Sequence, residues 1–511
     1  MGARLRSTPD GIDLTIAERV STTGLPLFIG GEDVGAAGGR VFDSVDPFSG
    51  ETWYEAADAT AADVDRAVRV AARAQESWAR TSAYERAKIL LRIADAVEAD
   101  AEAIGVLDTL DNGKLLRETR SQAGGVAHSL RYSAGNAETI EGITAPTSKH
   151  TTLGLTVREP YGVIGAMVPW NSPVPLMIDT AAPALAAGNA VVVKTPEDAP
   201  ASILHFARLA VANGLPTGLL NVVSGRGAEA GEALVKHPGV AKLVFVGGGV
   251  VGRRVAAAAA DRLIPVMLEL GGKSPQIVLP DADLDNVVPG LISGVIAAAG
   301  QTCVAGSRAL IHESIYEEVL AAFATRVDQL AFGDPLAPST EIGPLASSRQ
   351  IENALRHVEH AKQDGARLVA GGGLRDTGSG HGKFFEPAIF GDVKPGHRLF
   401  QSEVFGPIIG FTPFADIEEA LTLANDSAFG LASGLWTQNI DTALTVAKQI
   451  KAGTVWINTY RAPEQSIASG GFKESGYGRI GGSRELYEFT REKTIIINHS
   501  GTVNAPFVMG G

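Results

Sequence analysis

Downstream of residue 160 the chain alternates short apolar runs with longer stretches of mixed character. The runs are VIGAMVPW, NAVVVKTP, LLNVVSG, KLVFVGG and PVMLELGG. Between them lie MIDTAAPALAAG, ASILHFARLAVANG and VVGRRVAAAAADR, whose apolar residues recur at helical spacing. Strand, helix, strand at roughly 25-residue intervals predicts a parallel sheet with helices on both faces. A second α/β section runs from about 270 to 470, with strands at QIVLP and TVWIN and a helix at SIYEEVLAAFATRVDQL. Upstream, VDRAVRVAARAQESW and ERAKILLRIADAVEADAEAI intersperse apolar residues with charges and predict two amphipathic surface helices. The first 25 residues are polar and predict a loose arm. The final REKTIIINHS is a β-branched strand with little sequence left to pair with, so it is expected to add to another sheet or another subunit.

Composition narrows the class. A chain of 511 residues exceeds a single core and implies two or three domains. With 45 % hydrophobic and 20 % charged residues it reads as soluble and globular. A net charge of −13 disfavours nucleic acid or an anionic membrane as the main partner. The N-terminus lacks a signal-peptide core and no run of apolar residues is long enough to span a bilayer. The single cysteine forbids an internal disulfide and a zinc cluster built on several thiolates, and it fits a reducing cytoplasm.

That cysteine, Cys303, sits in AAAGQTCVAGSR, among glycines and small polar residues. Buried packing is the usual fate of a free cysteine, but such neighbours suit a reactive thiol better. In FVGGGVVGRRV, Gly247, Gly249 and Gly252 satisfy G-x-G-x-x-G between a strand and a helix, although in a chain with 60 glycines a tight turn without ligand is the competing explanation. Glu269 follows at about the distance where that fingerprint expects a ribose carboxylate. It is equally placed to be a catalytic base, and the stretch alone leaves both roles open. Lys194 and Glu197 end the run VVVKTPED; Gly225, Gly227 and Gly231 end the next; Asn171 follows Trp170 in VPWNSP; QSEVFGP carries Glu403 and Phe405.

Taken together these motifs resemble the aldehyde dehydrogenase superfamily over nearly the whole chain. LFIGGE and VDPFSGE look like its opening strands and GFKESGYGR like its C-terminal G-x-K-x-S-G segment, and the 34-residue step from Glu269 to Cys303 is typical. The resemblance implies two Rossmann-like parallel-sheet domains plus a β-hairpin oligomerisation arm. The expected division is a flexible arm at 1–25, a cofactor domain at 26–138 and 160–271, and a catalytic domain at 272–480. Residues 139–159 and 481–511 would form the arm and tail. It implies Cys303 as nucleophile, Glu269 as the base that activates water, and the Asn171 amide with the Cys303 N–H as oxyanion donors. Lys194 and Glu197 would hold the adenosine ribose, Glu403 the nicotinamide ribose, and Phe405 the nicotinamide. Trp170, Gly227, Gly231, Gly247, Gly248 and Gly252 complete the cofactor set, with Gly248 where the family usually has serine. NAD is the expected cofactor, with NADP as the alternative, and a small aldehyde the substrate of a homodimer or homotetramer.

Three rival readings frame that expectation. One is an acylating enzyme that passes its thioester to coenzyme A, and another a cofactor-binding homologue with a structural role. The third is metal binding. His357 and His360 lie three apart on a helix without a third ligand, and DADLDN lacks the glycine and glutamate of a calcium loop, so no metal is expected. At the substrate entrance the resemblance places Ser172, Asp179, Tyr460, Arg461 and Ser469, implying a wide mouth that favours a polar or charged aldehyde. The competing possibility is that Asp179 and Arg461 simply pair with each other.

Overall fold

The computed structural model describes residues 11–376 and 384–501, together with Leu5 and Pro9. Two sheets organise it. The first has eight strands, five of them parallel: Leu220–Val223, Ala190–Lys194, Val163–Met167, Lys242–Val246 and Val266–Glu269, in that spatial order. Every residue of AVVVK is buried, as expected of a central parallel strand covered on both faces. The strand order reverses beside Val163–Met167, which opens a crevice at the C-terminal ends of the strands, where ligands of open α/β sheets bind.

Helices Ala61–Trp78 and Ala83–Ala99 match the two amphipathic patterns. The first begins with a reciprocal capping box between Thr60 and Asp63 and buries Val64, Ala67, Val68, Ala71 and Trp78. Each large apolar side chain sunk in this way contributes about 1.5–3 kcal/mol relative to exposure. The Trp78 indole N–H donates to the Leu185 carbonyl at 2.9 Å and ties this helix to Pro173–Ala186.

The second sheet has seven strands in the order Arg367–Ala370, Ala388–Gly391, Ile408–Phe414, Arg308–His312, Pro275–Val278, Ala432–Trp436 and Thr454–Ile457. All neighbours are parallel except the first pair. Each sheet has its own apolar core.

Two expectations differ from the structure, and one, the final strand joining another sheet, is met within the chain. Residues 15–23 of the expected loose arm form a helix, Thr15–Thr23, whose Ala17 and Val20 are buried in the first core; its small apolar face escapes a hydropathy average dominated by polar neighbours. The strand Thr490–Asn498 finds its partner in its own chain, pairing antiparallel along its length with Thr152–Pro160. The boundary at 480 is crossed in both directions. Gly476–Tyr477 joins the edge of the first sheet beside Val266–Glu269, and Leu486 and Phe489 are buried in the first core.

Candidate active site

The five parallel strands of the first sheet deliver the expected residues to one edge. Val163–Met167 runs into the loop bearing Trp170 and Asn171; Ala190–Lys194 ends on Lys194; Leu220–Val223 leads to the glycines from 225 to 231; Lys242–Val246 leads to Gly247; Val266–Glu269 ends on Glu269. The loop holding Cys303 comes from the second sheet and meets this edge. The Asn171 side-chain amide donates to the Gln301 carbonyl at 3.0 Å, two residues before the cysteine. An amide carries a second N–H, so this bond aligns the group without exhausting it.

Asn171 is itself held from below. The Lys114 ammonium, nearly fully buried, donates to the Asn171 carbonyl at 2.9 Å, to Gln122 Oε1 at 2.6 Å and to Ser172 Oγ at 3.1 Å. Burial lowers the Lys114 pKa to about 8, against the opposing pull of Glu118 and Asp108. Glu118 in turn accepts the Ala298 N–H at 3.0 Å. Ala298 and Ala299 adopt positive φ (54° and 49°), and a Cβ on Gly300 would lie 2.3 Å from the Gly406 backbone. The turn before Cys303 is thus wound left-handed and pressed against the segment that carries Phe405.

Cys303 keeps partial exposure, while its thiol is pushed up to about 11 by burial first and by the carboxylates of Glu403 and Glu269 second. A Cβ on Gly272 would fall 2.5 Å from the Cys303 carbonyl, so glycine there lets the two backbones meet. Glu269 is 8 % exposed, and its Oε1 has no hydrogen-bond partner. Burial raises it to about 8, with Arg479 and a Gly471 N–H pulling down and Asp179 and Glu488 pushing up. An uncompensated carboxylate in such a place is costly and holds its proton tightly. The segment around Ser475 fixes this corner: its hydroxyl donates to the Gly271 carbonyl at 2.8 Å, and its carbonyl accepts the Leu270 N–H at 2.9 Å.

The other half of the edge is built differently. Glu197 Oε1 accepts the Gly227 N–H at 2.6 Å and lies 3.6 Å from the Lys194 ammonium. Burial lowers the Lys194 pKa, and Glu197 partly restores it. Gly231 closes a wide π-helical turn after Gly227. Gly248 precedes the helix Gly249–Asp261, and a Cβ there would meet open space. At Gly247 and Gly252 a Cβ would strike the Phe245 ring at 2.7 Å and Leu270 at 2.6 Å respectively, so packing requires glycine at both positions. Glu403 accepts the Gly272 N–H at 3.1 Å, and burial raises its pKa to about 7. Phe405, at φ 57°, sets its ring edge-to-face on Trp170 with centroids 5.4 Å apart.

Apart from Asp179, the residues expected at the entrance have partners of their own. Tyr460 is buried and donates its hydroxyl to the Val304 carbonyl at 2.8 Å, bracing the cysteine loop from behind. Ser172 points its hydroxyl into the Lys114 cluster. Arg461 donates to the Ser293 carbonyl at 3.3 Å and makes no ion pair with Asp179. Ser469 is exposed and bridges to Ile480. Sequence reasoning passed over Lys114, Gln301 and Glu118. The run DNGK, a lysine and an asparagine at a helix end, was the one available signal for the first. Elsewhere, His357 is half-buried, which lowers its pKa to about 4, and Asp283 caps the helix Leu284–Val295. No group of three metal-ligating side chains occurs among the described residues. No helix among them is long and apolar enough to cross a membrane.

Comparison with known proteins agrees with this geometry. The chain matches the aldehyde dehydrogenase family over residues 34–495. It is 40 % identical over 480 residues to phenylacetaldehyde dehydrogenase of Pseudomonas fluorescens, covering 92 % of this chain and 95 % of the relative. It is 41 % identical over 477 residues to (Z)-2-((N-methylformamido)methylene)-5-hydroxybutyrolactone dehydrogenase of Acinetobacter baylyi, covering 92 % and 97 %. The NAD+ complex of aldehyde dehydrogenase from Bacillus cereus superposes with a TM-score of 0.90 at 38 % identity, over 93 % of this chain and 96 % of that one. With a family match across most of its length and full-length relatives at this identity, the chain belongs to the aldehyde dehydrogenase family.

Proposed function

We propose that this chain oxidises an aldehyde to its carboxylate with hydride transfer to NAD, through a thiohemiacetal and a thioester on Cys303. The observation that carries this is Glu269, a buried carboxylate with an unpartnered oxygen in electrostatic contact with the Cys303 thiol. A group held so expensively suits a task only ionisation can perform.

In this mechanism the Cys303 sulfur attacks the aldehyde carbon, and the carbonyl oxygen gathers charge opposite the Asn171 amide and the Cys303 N–H. Lys114 and Gln301 act as positioning residues that hold Asn171 from its carbonyl and its amide sides. The resting thiol holds its proton at neutral pH; as the carbon–sulfur bond forms, that proton passes to the ionised form of Glu269, which acts on the thiol, and from there to solvent before deacylation. Held by Lys194, Glu197 and Glu403, NAD would supply the hydride acceptor that lets the thiohemiacetal on Cys303 become a thioester. Glu269 then takes a proton from water as the water attacks the thioester, the carbon–sulfur bond breaks, and the carboxylate departs. The acylating alternative needs no water-activating glutamate, which favours the hydrolytic reading.

The residues suit NAD. Glu197 can accept hydrogen bonds from ribose hydroxyls and would repel a 2′-phosphate, although Lys194 offsets part of that repulsion. The open space over Gly248 at the start of a helix of 13 residues suits a pyrophosphate. The Bacillus cereus relative, described as an NAD+ complex, agrees. On this reading the unit around the first sheet binds the cofactor and the unit around the second carries the nucleophile. The sheet formed by Thr490–Asn498, Thr152–Pro160 and Thr144–Ala145 presents Ile143, Leu153, Ile495, Ile496 and Ile497 to solvent, which supports a homodimer or homotetramer joined through this arm. A lone thiol supports a reducing cytoplasm.

The test is NADH formation across a panel of aliphatic, aromatic and charged aldehydes, with and without coenzyme A. Turnover independent of coenzyme A supports the proposal, and a strict requirement for it would replace hydrolysis with acyl transfer. No NADH with any aldehyde would leave only the structural homologue.

A further inference from the structure

Asp179 lies two helical turns beyond Asn171 on the helix Pro173–Ala186, and it is partly exposed rather than sealed in the core. It has no hydrogen-bond or ion-pair partner among the described residues. Its charged neighbours share its sign: Glu485 acts on it directly, and it acts on Glu269. Glu485 is committed, accepting from Ser133 Oγ at 2.7 Å and from Gln465 Nε2 at 3.3 Å. Glu269 keeps one buried oxygen unpartnered in the same space.

The cations that could answer Asp179 are bound elsewhere. Arg479 donates to the carbonyls of Gly471 and Gly478 at 3.3 and 2.7 Å. Arg461 serves Ser293, and Lys114 serves Asn171, Ser172 and Gln122. A half-buried carboxylate whose charged neighbours are carboxylates, without a cation from its own chain, is electrostatically incomplete.

Resting on the aldehyde-oxidising reading above, we propose that Asp179 is the specificity-determining group of the substrate pocket and selects aldehydes that carry a cationic ammonium group at the far end from the carbonyl. The ammonium supplies the missing charge next to Asp179 while the aldehyde carbon reaches Cys303. A carboxylate-ended aldehyde meets repulsion from Asp179 and Glu485, and a purely apolar one leaves Asp179 desolvated and unpaired. Asp179 is raised to about 7 by burial, with Glu485 adding to the effect. A cationic substrate therefore binds best above that pH, where the carboxylate is ionised, and loses its advantage as Asp179 takes up a proton.

The experiment compares kcat/KM for an aldehyde ending in trimethylammonium with that for its neutral isostere, ending in a tert-butyl group on the same methylene chain. Neither tail titrates, so the effects of Glu269 and Cys303 ionisation on the chemical step cancel in the ratio, and Asp179→Asn isolates the share of Asp179 in the attraction. The wild type should prefer the cation about tenfold or more above about pH 8, the scale of one charge pair in a partly screened site, and approach parity below about pH 6. Asp179→Asn should bring the ratio near unity at every pH, and Asp179→Glu should retain it. Asp179→Arg should turn the preference toward a carboxylate-ended aldehyde. Equal kcat/KM for the two isosteres in the wild type overturns the proposal, as does a preference that survives in Asp179→Asn. If the asparagine variant is inactive, a glutamate variant that has lost the preference overturns it. Absence of NADH with both isosteres refutes aldehyde oxidation itself.

Discussion

Glu197 and Glu269 stand at the C-terminal edge of one sheet, each associated with the end of a parallel strand, and their surroundings are opposite. The Glu197 side chain is 39 % exposed, takes a backbone N–H at 2.6 Å and has an ammonium 3.6 Å away. Glu269 is 8 % exposed, has an oxygen without a partner, and is pushed up to about 8. A carboxylate that only has to accept hydrogen bonds from a ligand is best kept ionised and solvated. One that must take a proton from water near neutrality needs its pKa brought up to the working pH, and burial is the direct way to do that. The same residue type at the same edge is thereby sorted into binding and chemistry by its environment.

The strongest way to break this division is to remove the group it serves. Cys303→Ala should abolish NADH formation while leaving NAD affinity, measured by titration calorimetry, near that of the unaltered protein, since the Glu197 side of the edge is untouched. Aldehyde oxidation persisting in that variant would discard the covalent route.

Glu269→Gln should spare the first turnover and stall the second. A burst of NADH followed by steady turnover slower by about 10²–10⁴-fold is the expected trace. A loss of NAD affinity instead would reverse the roles given to the two glutamates. In the unaltered protein the base must be ionised, so deacylation should climb with pH and level off above about 8. Stopped-flow acquisition across pH should show that limb vanish in Glu269→Gln.

On the other side, Glu197→Gln should raise KM for NAD by roughly the tenfold that one charge-assisted hydrogen bond can command, with little change in kcat, and should narrow the gap between NAD and NADP. An effect on kcat alone would contradict a purely binding role.

The smallest effect is on stability, and its sign separates the two residues. A carboxyl raised from its usual 4.5 to about 8 binds its proton more tightly when folded, so its contribution is present below the lower value and lost as pH rises through the upper one. Glu269→Gln should therefore raise Tm above about pH 8 and leave it nearly unchanged near pH 4. Glu197→Gln, which removes an exposed and partnered charge, should not raise Tm in alkali. Scanning calorimetry at the two pH values distinguishes them.

The amino-acid sequence by itself determined the repeating strand and helix pattern, because a short apolar run such as AVVVK, with three consecutive β-branched valines, is most stable between two covered faces. It also determined the identities at the site, since Cys303, Glu269, Asn171 and the glycines around 247 and 227 stand in recognisable local settings. Only the tertiary structure decided what those residues do to one another. That Glu269 is buried with one oxygen unpartnered depends on the segment around Gly470 and Ser475, some two hundred residues away in the chain. The support of Asn171 by Lys114, the withdrawal of Tyr460 behind the cysteine loop and the separation of Arg461 from Asp179 are likewise encounters between distant segments. Hydropathy and spacing act over a few residues, whereas pKa and hydrogen-bond satisfaction depend on which groups the fold brings within a few ångströms and how much water it leaves there.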